Sequence, residues 1–131
     1  MFVDASAIIA IIADEPDRLS LSARLAQTAQ VFVSPVVVYE SITGLARRRA
    51  CSILDAEKLV SAFLDEVRAE MIDIDAGIAS QAAHAFGRFG RGKHRADLNM
   101  GDCFAYACAR DRDLPLLFKG NDFVHTDIGV A

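Results

Sequence analysis

Short apolar runs of β type alternate with helix-patterned stretches along the whole chain, and few folds accept that alternation. Phe2-Val3, Val31-Phe32-Val33, Met71-Ile72-Asp73-Ile74 and Leu114-Pro115-Leu116-Leu117-Phe118 read as strands, with a short last one expected near Asp127 to Val130. Helical patterns fill the gaps, and strands joined by helical crossovers pair in parallel. The chain is therefore expected to be α/β, a three-layer α/β/α sandwich with a mostly parallel central sheet. No linker or internal repeat interrupts it, so residues 1–131 are expected to form a single domain.

The helix boundaries follow from capping chemistry. A first helix spans Ala5 to Ala13. Asp14-Glu15-Pro16-Asp17 breaks it and caps a second, whose apolar stripe is Leu19, Leu21, Leu25 and Ala26. Ser34-Pro35 is an N-cap and first-turn pair for a helix reaching Arg49, although Val36 to Val38 also suits a strand. Further helices are expected over Ile53 to Glu70, from Asp75 to about Phe86, and from Asn99 to Arg112.

Four acids stand where these elements begin or end. Asp4 follows the first strand, Glu40 lies one turn past the Ser34 cap, Asp102 opens an apolar helix, and Asp122 sits in the turn Gly120-Asn121-Asp122. Ligands of open α/β sheets collect at the carboxyl ends of the strands. Carboxylates gathered there repel one another unless a hard cation neutralises them, and oxygen-only sites suit Mg²⁺ or Mn²⁺. Each acid also has a purely structural role open to it. Asp4 can cap a helix, Asp102 can answer a helix dipole, and Asp122 can be turn chemistry. Glu40 is the hardest to explain that way, because a mid-helix carboxylate beside a run of Val and Tyr needs a partner.

The bulk properties narrow the class. Apolar residues, Tyr included, make up 53% of the 131 residues. That excludes a disordered chain and leaves a dense core or an apolar face used for association. Cys51, Cys103 and Cys108 are odd in number and suit free thiols in a reducing compartment. The N-terminus has no basic region before its first apolar run, and Ala5 to Ala13 is too short to cross a bilayer, so a soluble cytoplasmic protein with no membrane partner is expected. The net charge of −4 is unevenly spread: His84 to Arg95 holds four basic residues and no acid. Arg88, Arg91, Lys93 and Arg95 thus form a basic segment on an acidic body, suited to a phosphate backbone or simply to solvent.

The run Asn99-x-Gly101-Asp102-Cys103-Phe104-Ala105-Tyr106-Ala107-x-Ala109 resembles the signature of PIN-domain ribonucleases, in particular the VapC-type toxins of bacterial toxin–antitoxin pairs. Val3-Asp4-Ala5-Ser6-Ala7, Pro35-x-x-x-Tyr39-Glu40 and Leu117-Phe118-Lys119-Gly120-Asn121-Asp122-Phe123 resemble that family's other motifs, in order and over nearly the whole chain. The resemblance implies a toxin with metal-dependent endoribonuclease activity, cleaving RNA by metal-activated water to a 5′-phosphate and a 3′-hydroxyl. It implies that Asp4 and Asp102 are the principal Mg²⁺ or Mn²⁺ ligands, with Glu40 as a further ligand and Asp122 as the fourth acid. Asn121 or Asp127 is an alternative to Asp122. Ser6 and Asn99 would hold carboxylates in place. Arg88, Arg91, Lys93 and Arg95 are candidates to hold the RNA.

The implied partners are an RNA substrate, a second copy of the chain in a homodimer, and a small cognate antitoxin. The antitoxin would lie across the helices of residues 5–28 and 35–49, with an Arg or Lys reaching toward Asp4, Glu40 and Asp102, and Arg47-Arg48-Arg49 would either face its acids or answer the dipole of their own helix. A receiver-like signalling domain could use Asp75 and Lys119, but it expects adjacent acids after the first strand. A phosphoaspartyl phosphatase expects an acid where Ser6 stands. An inactive binding module on the same fold would have lost an acid.

Overall fold

A computed structural model describes all 131 residues. Its elements in chain order are β1 (Phe2–Val3), α1 (Ala5–Ile12), α2 (Arg18–Leu25), β2 (Phe32–Val33), α3 (Pro35–Arg49), α4 (Ile53–Glu66), β3 (Glu70–Met71), α5 (Ala76–Phe89), α6 (Met100–Asp111), β4 (Leu116–Leu117) and a 3₁₀ turn at Phe123–His125. The four strands form one sheet in the order β3-β2-β1-β4, with every pairing parallel. Helices flank it in an α/β/α arrangement, with α1 against α2, α3 and α4, and α5 against α6. Phe2, Val3, Val33, Leu116 and Leu117 of the strands are buried in the core.

The order of strands locates the site. From β1 the chain steps outward through β2 to β3, then returns to the other side of β1 for β4. The direction of winding therefore reverses between β1 and β4, and a crevice opens there at the carboxyl ends. Asp4 lies in that crevice, its N–H donating to the Leu117 carbonyl at 2.9 Å.

Two of the expected caps form, while Asp17 at the start of α2 makes no side-chain capping bond. Ser34 accepts from the Val37 N–H and Asp75 from the Ile78 N–H. The β-branched run Val36 to Val38 is helical. Four boundaries differ from expectation. The third strand is Glu70–Met71, because only Glu70 and Ile72 donate across, to the Val31 and Val33 carbonyls, and the chain then leaves the ladder. The helix before it ends at Glu66, short of Glu70. The expected last strand is a single bridge between Val130 and Leu116. Helix α5 continues through Gly87 to Phe89, whose ring is buried.

That extension changes the basic segment. Arg88 is helical, and the remainder is a loop closed by its own hydrogen bonds. Arg91 N–H donates to the Leu98 carbonyl, Leu98 N–H to Phe89, and Gly92 N–H to the Asp97 carboxylate at 3.1 Å.

Candidate metal and catalytic site

Asp4 ends β1 and caps α1 at once. Its Oδ2 accepts from the Ser6 N–H at 2.9 Å and from the Ser6 hydroxyl at 2.6 Å, which leaves Oδ1 free. The residue is 4% exposed, and burial pushes its carboxyl above the usual carboxylate range against the pull of the Ser6 bonds. Ser6 has a second task. Its oxygen also accepts the Lys119 N–H at 3.0 Å, which ties the segment after β4 to the acid after β1.

Asp102 is fixed by the N-terminus of α6. Asn99 Oδ1 accepts the Asp102 N–H, and Asp102 Oδ2 accepts the Asn99 N–H, both at 2.9 Å. This reciprocal cap anchors one carboxylate oxygen and frees the other. Burial first, then the charges of Asp4 and Asp122, raise its pKa to about 6 despite the Asn99 bond.

Glu40 reaches the same place from α3. Its carboxylate lies against the backbone of Gly101, where a Cβ would collide with both Oε1 and Oε2. Gly101 is required by close approach rather than by backbone conformation. No local pattern gives this glycine a task; its position directly before Asp102 is the signal. Glu40 is half-buried and makes no hydrogen bond or ion pair through its side chain. Burial, with Asp4 and Asp102 nearby, raises its pKa to about 7.

Asp4, Glu40 and Asp102 line one open pocket of about 480 Å³ with Ser6, Asn99, Tyr39, Thr43 and Arg47. Asp122 is exposed and stands outside that lining, although its charge is felt at Asp4 and Asp102. Gly120, at φ +105°, makes the turn that presents it. Neighbouring Asn121 is also exposed. Asp127 is committed elsewhere, since its oxygens accept from the Tyr106 hydroxyl at 2.6 Å and from Arg88 at 3.1 Å.

Arg88 is thereby tied down as well. Arg91 faces Asp97 at 3.4 Å, yet its charge still acts on Asp102. Lys93 lies over the Phe86 ring at 4.8 Å, and Arg95 has no ion-pair partner. Glu15, expected only in the stretch that breaks the first helix, joins Lys119 and Arg48 in an ion-pair cluster.

The donor set fits a hard divalent cation. None of Asp4, Glu40, Asp102 or Asp122 takes part in the ion pairs of the chain. Buried carboxylates without a cation are costly, and here three share one cavity. They ring the pocket without closing into a ready ligand cage. Their free oxygens are hard donors of the kind that Mg²⁺ and Mn²⁺ take together with water.

Comparison with known proteins gives a consistent result. The family model described as "PIN domain" matches residues 1–129. A VapC ribonuclease of Rhizobium meliloti is 39% identical, over 98% of this chain and 99% of its own length. The fold is similar to the crystal structure of Mycobacterium tuberculosis VapC20, described as a sarcin-ricin loop cleaving toxin, with a TM-score of 0.81, 20% identity, and 99% and 97% of the two chains covered. It is also similar to a toxin–antitoxin complex from Klebsiella pneumoniae, with a TM-score of 0.73, 18% identity, and 99% and 95% covered.

Proposed function

The chain belongs to the PIN-domain family and, within it, to the VapC ribonucleases, and from that membership we propose that it is the RNA-cleaving toxin of a toxin–antitoxin pair. The observation that carries this is the pocket at the sheet's switch point, where three carboxylates converge and none is paired with a cationic side chain. Asp4, Asp102 and Glu40 would hold Mg²⁺ or Mn²⁺, with Asp122 completing the acid set from outside the lining. A bound cation would supply Lewis acidity, lowering the pKa of water and neutralising charge at the phosphate.

The chain's own residues do the positioning. Ser6 clamps one oxygen of Asp4 and Asn99 clamps one oxygen of Asp102, so each acid aims its other oxygen without reorganising. Gly101 admits the Glu40 carboxylate. Arg91, on the loop after α5, brings positive charge to the Asp102 side of the pocket, where an RNA backbone needs it. No Ser, Cys or His is set up as a nucleophile, which suits direct hydrolysis by water. Attack of water on phosphorus with cleavage of the P–O3′ bond, and a proton passing to the departing O3′, leaves a 3′-hydroxyl and a 5′-phosphate.

The partners follow from the surface. A groove of about 510 Å³ is lined by Ile11, Leu25, Val31, Phe63 and Val67, with Arg18 and Glu66 at its edge. We assign it to an apolar segment of the antitoxin. It is bounded by α1, α2 and α4 rather than by α3. The triplet Arg47-Arg48-Arg49 is not free to face that partner as a unit, since Arg48 and Arg49 are bound within the chain. A guanidinium or ammonium carried by the antitoxin could pair with the pocket acids in place of metal. A second, wholly apolar groove between α5 and α6, with Phe86 and Met100 exposed, is the surface best suited to a homodimer. No helix is long and apolar enough to cross a membrane.

Expression in a bacterial host tests the toxin assignment. The wild-type chain should arrest growth, Asp102→Asn should not, and co-expression of a small protein encoded beside it should relieve the arrest as an isolable complex. Unimpeded growth at high soluble expression of the wild type would remove the toxin role.

A further inference from the structure

Helix α3 ends in three arginines, and the structure gives them different fates. Arg48 Nε lies 2.9 Å from Glu15, and Arg49 Nη2 donates to the Ile12 carbonyl at 3.1 Å. Arg47 pairs with nothing. It lines the carboxylate pocket together with Thr43 and Tyr39. These three are spaced four apart, so they form one stripe down one face of α3. Thr43 turns its hydroxyl back onto the helix, donating to the Tyr39 carbonyl at 3.0 Å. At the head of the stripe Tyr39 is 67% exposed, and its hydroxyl makes no hydrogen bond.

Core packing accounts for neither end. A large aromatic left open beside a polar pocket has a free ring face. A guanidinium that pairs with no acid, in a pocket it shares with three acids, has five donors to offer. A planar face and an unpaired guanidinium on one track are what a single nucleic-acid strand uses, one for a base and the other for a phosphate. The eight steps from Tyr39 to Arg47 span about 12 Å of helix, long enough to engage separate nucleotides of one strand.

We propose that the Tyr39–Thr43–Arg47 stripe of α3 is a subsite for single-stranded RNA, Tyr39 stacking on an unpaired base beside the cleaved phosphate and Arg47 gripping a backbone phosphate farther along. This rests on the nuclease assignment and adds to it a direction for the strand, from the carboxylates along α3. A stacking ring needs an unstacked base, so the substrate enters as a loop or single-stranded segment and not as a duplex.

Binding and kinetics together test it. In the full-length Asp102→Asn background, anisotropy of a labelled pool of single-stranded oligoribonucleotides is titrated at several salt concentrations. Arg47→Ala should weaken binding and reduce the slope of log affinity against log salt by about 0.7, the value for one phosphate contact on a single strand. Arg47→Lys should restore the slope. Lys58→Ala, which removes an unpaired exposed charge on α4, should leave it unchanged. Tyr39→Leu should weaken binding about fivefold or more, and Tyr39→Phe should restore it, because stacking uses the ring and not the hydroxyl. With Asp102 restored, Arg47→Ala and Tyr39→Leu should raise KM more than they lower kcat.

Unchanged binding and slope in Arg47→Ala, or an equal loss in Lys58→Ala, would overturn the subsite. Loss of antitoxin binding alone would give Arg47 to the protein partner and also overturn it. If the wild-type chain neither binds the pool nor cuts RNA with Mn²⁺, the nuclease assignment itself falls, and the subsite with it.

Discussion

Gly101 and Glu40 come from helices far apart in sequence and meet with no room between them. A methyl group at position 101 must displace the Glu40 carboxylate. Gly101→Ala is therefore predicted to fold normally and to lose about 10²-fold in cleavage rate, the cost of roughly 1 Å of misplacement in a catalytic group. Circular dichroism with a cleavage assay checks both halves, and full activity in the folded variant would show that Glu40 has no role.

The same acids set a pH dependence. The folded chain raises Glu40 to about 7 and Asp102 to about 6, above their ordinary values, because burial and mutual repulsion favour the neutral forms. Groups with raised folded pKa values stabilise fully below their unfolded values, and that contribution is lost as pH rises through the folded values. The metal-free protein should accordingly lose stability from this source between the ordinary carboxylate range and about pH 7. A cation binds the ionised acids, so the increase in Tm on adding Mn²⁺ is predicted to be larger at about pH 8 than at about pH 5.5. Calorimetric scans at the two values decide this. An equal or larger gain at the acidic value would place the metal elsewhere.

At the scale of elements, helix caps were legible and partners distant in sequence were not. Ser34-Pro35 and Asp75 mark helix starts by local chemistry, and both cap as expected. An apolar run, in contrast, reports burial and not pairing. Ile72 is buried, yet β3 ends at Met71. Gly87 suggests a helix end, but no side chain is needed there, and buried Phe89 continues α5.

The basic segment shows the limit most clearly. Arg88 meets Asp127 across 39 positions, a pairing no local pattern contains. The four basic residues are consequently unequal. Neutralising Arg91 and Arg95 together is predicted to reduce the salt slope of RNA binding by about 1.4, two phosphate contacts' worth on a single strand. Neutralising Arg88 alone should change it less and instead free Asp127. Matched slopes for Arg88 and Arg95 variants would return the segment to a uniform basic surface.

Over the whole molecule, the winding of the chain explains why acids so far apart in sequence belong to one site. The sheet reverses direction between β1 and β4, so Asp4 and the segment after Leu117 lie side by side, joined through Ser6 and the Lys119 N–H. Helices α3 and α6 then bring Glu40 and Asp102 over the same crevice. The sequence places Asp4 and Asp102 at element ends, Asp122 in a turn and Glu40 within a helix. It could not show that Asp122 stands outside the lining while the other three line the pocket, because that depends on the turn at Gly120 and not on residue type.

The central claim is that these carboxylates hold the cation with which the chain cuts RNA. Its most direct test is the initial rate of RNA cleavage as a function of Mn²⁺ concentration, for wild-type protein and for Asp102→Asn shown by its thermal transition to be folded. The wild type should be inactive after chelation, recover saturably with added Mn²⁺, and leave 5′-phosphate ends, while Asp102→Asn stays inactive at every concentration. Cleavage that survives chelation, or that proceeds equally well in folded Asp102→Asn, would contradict the account.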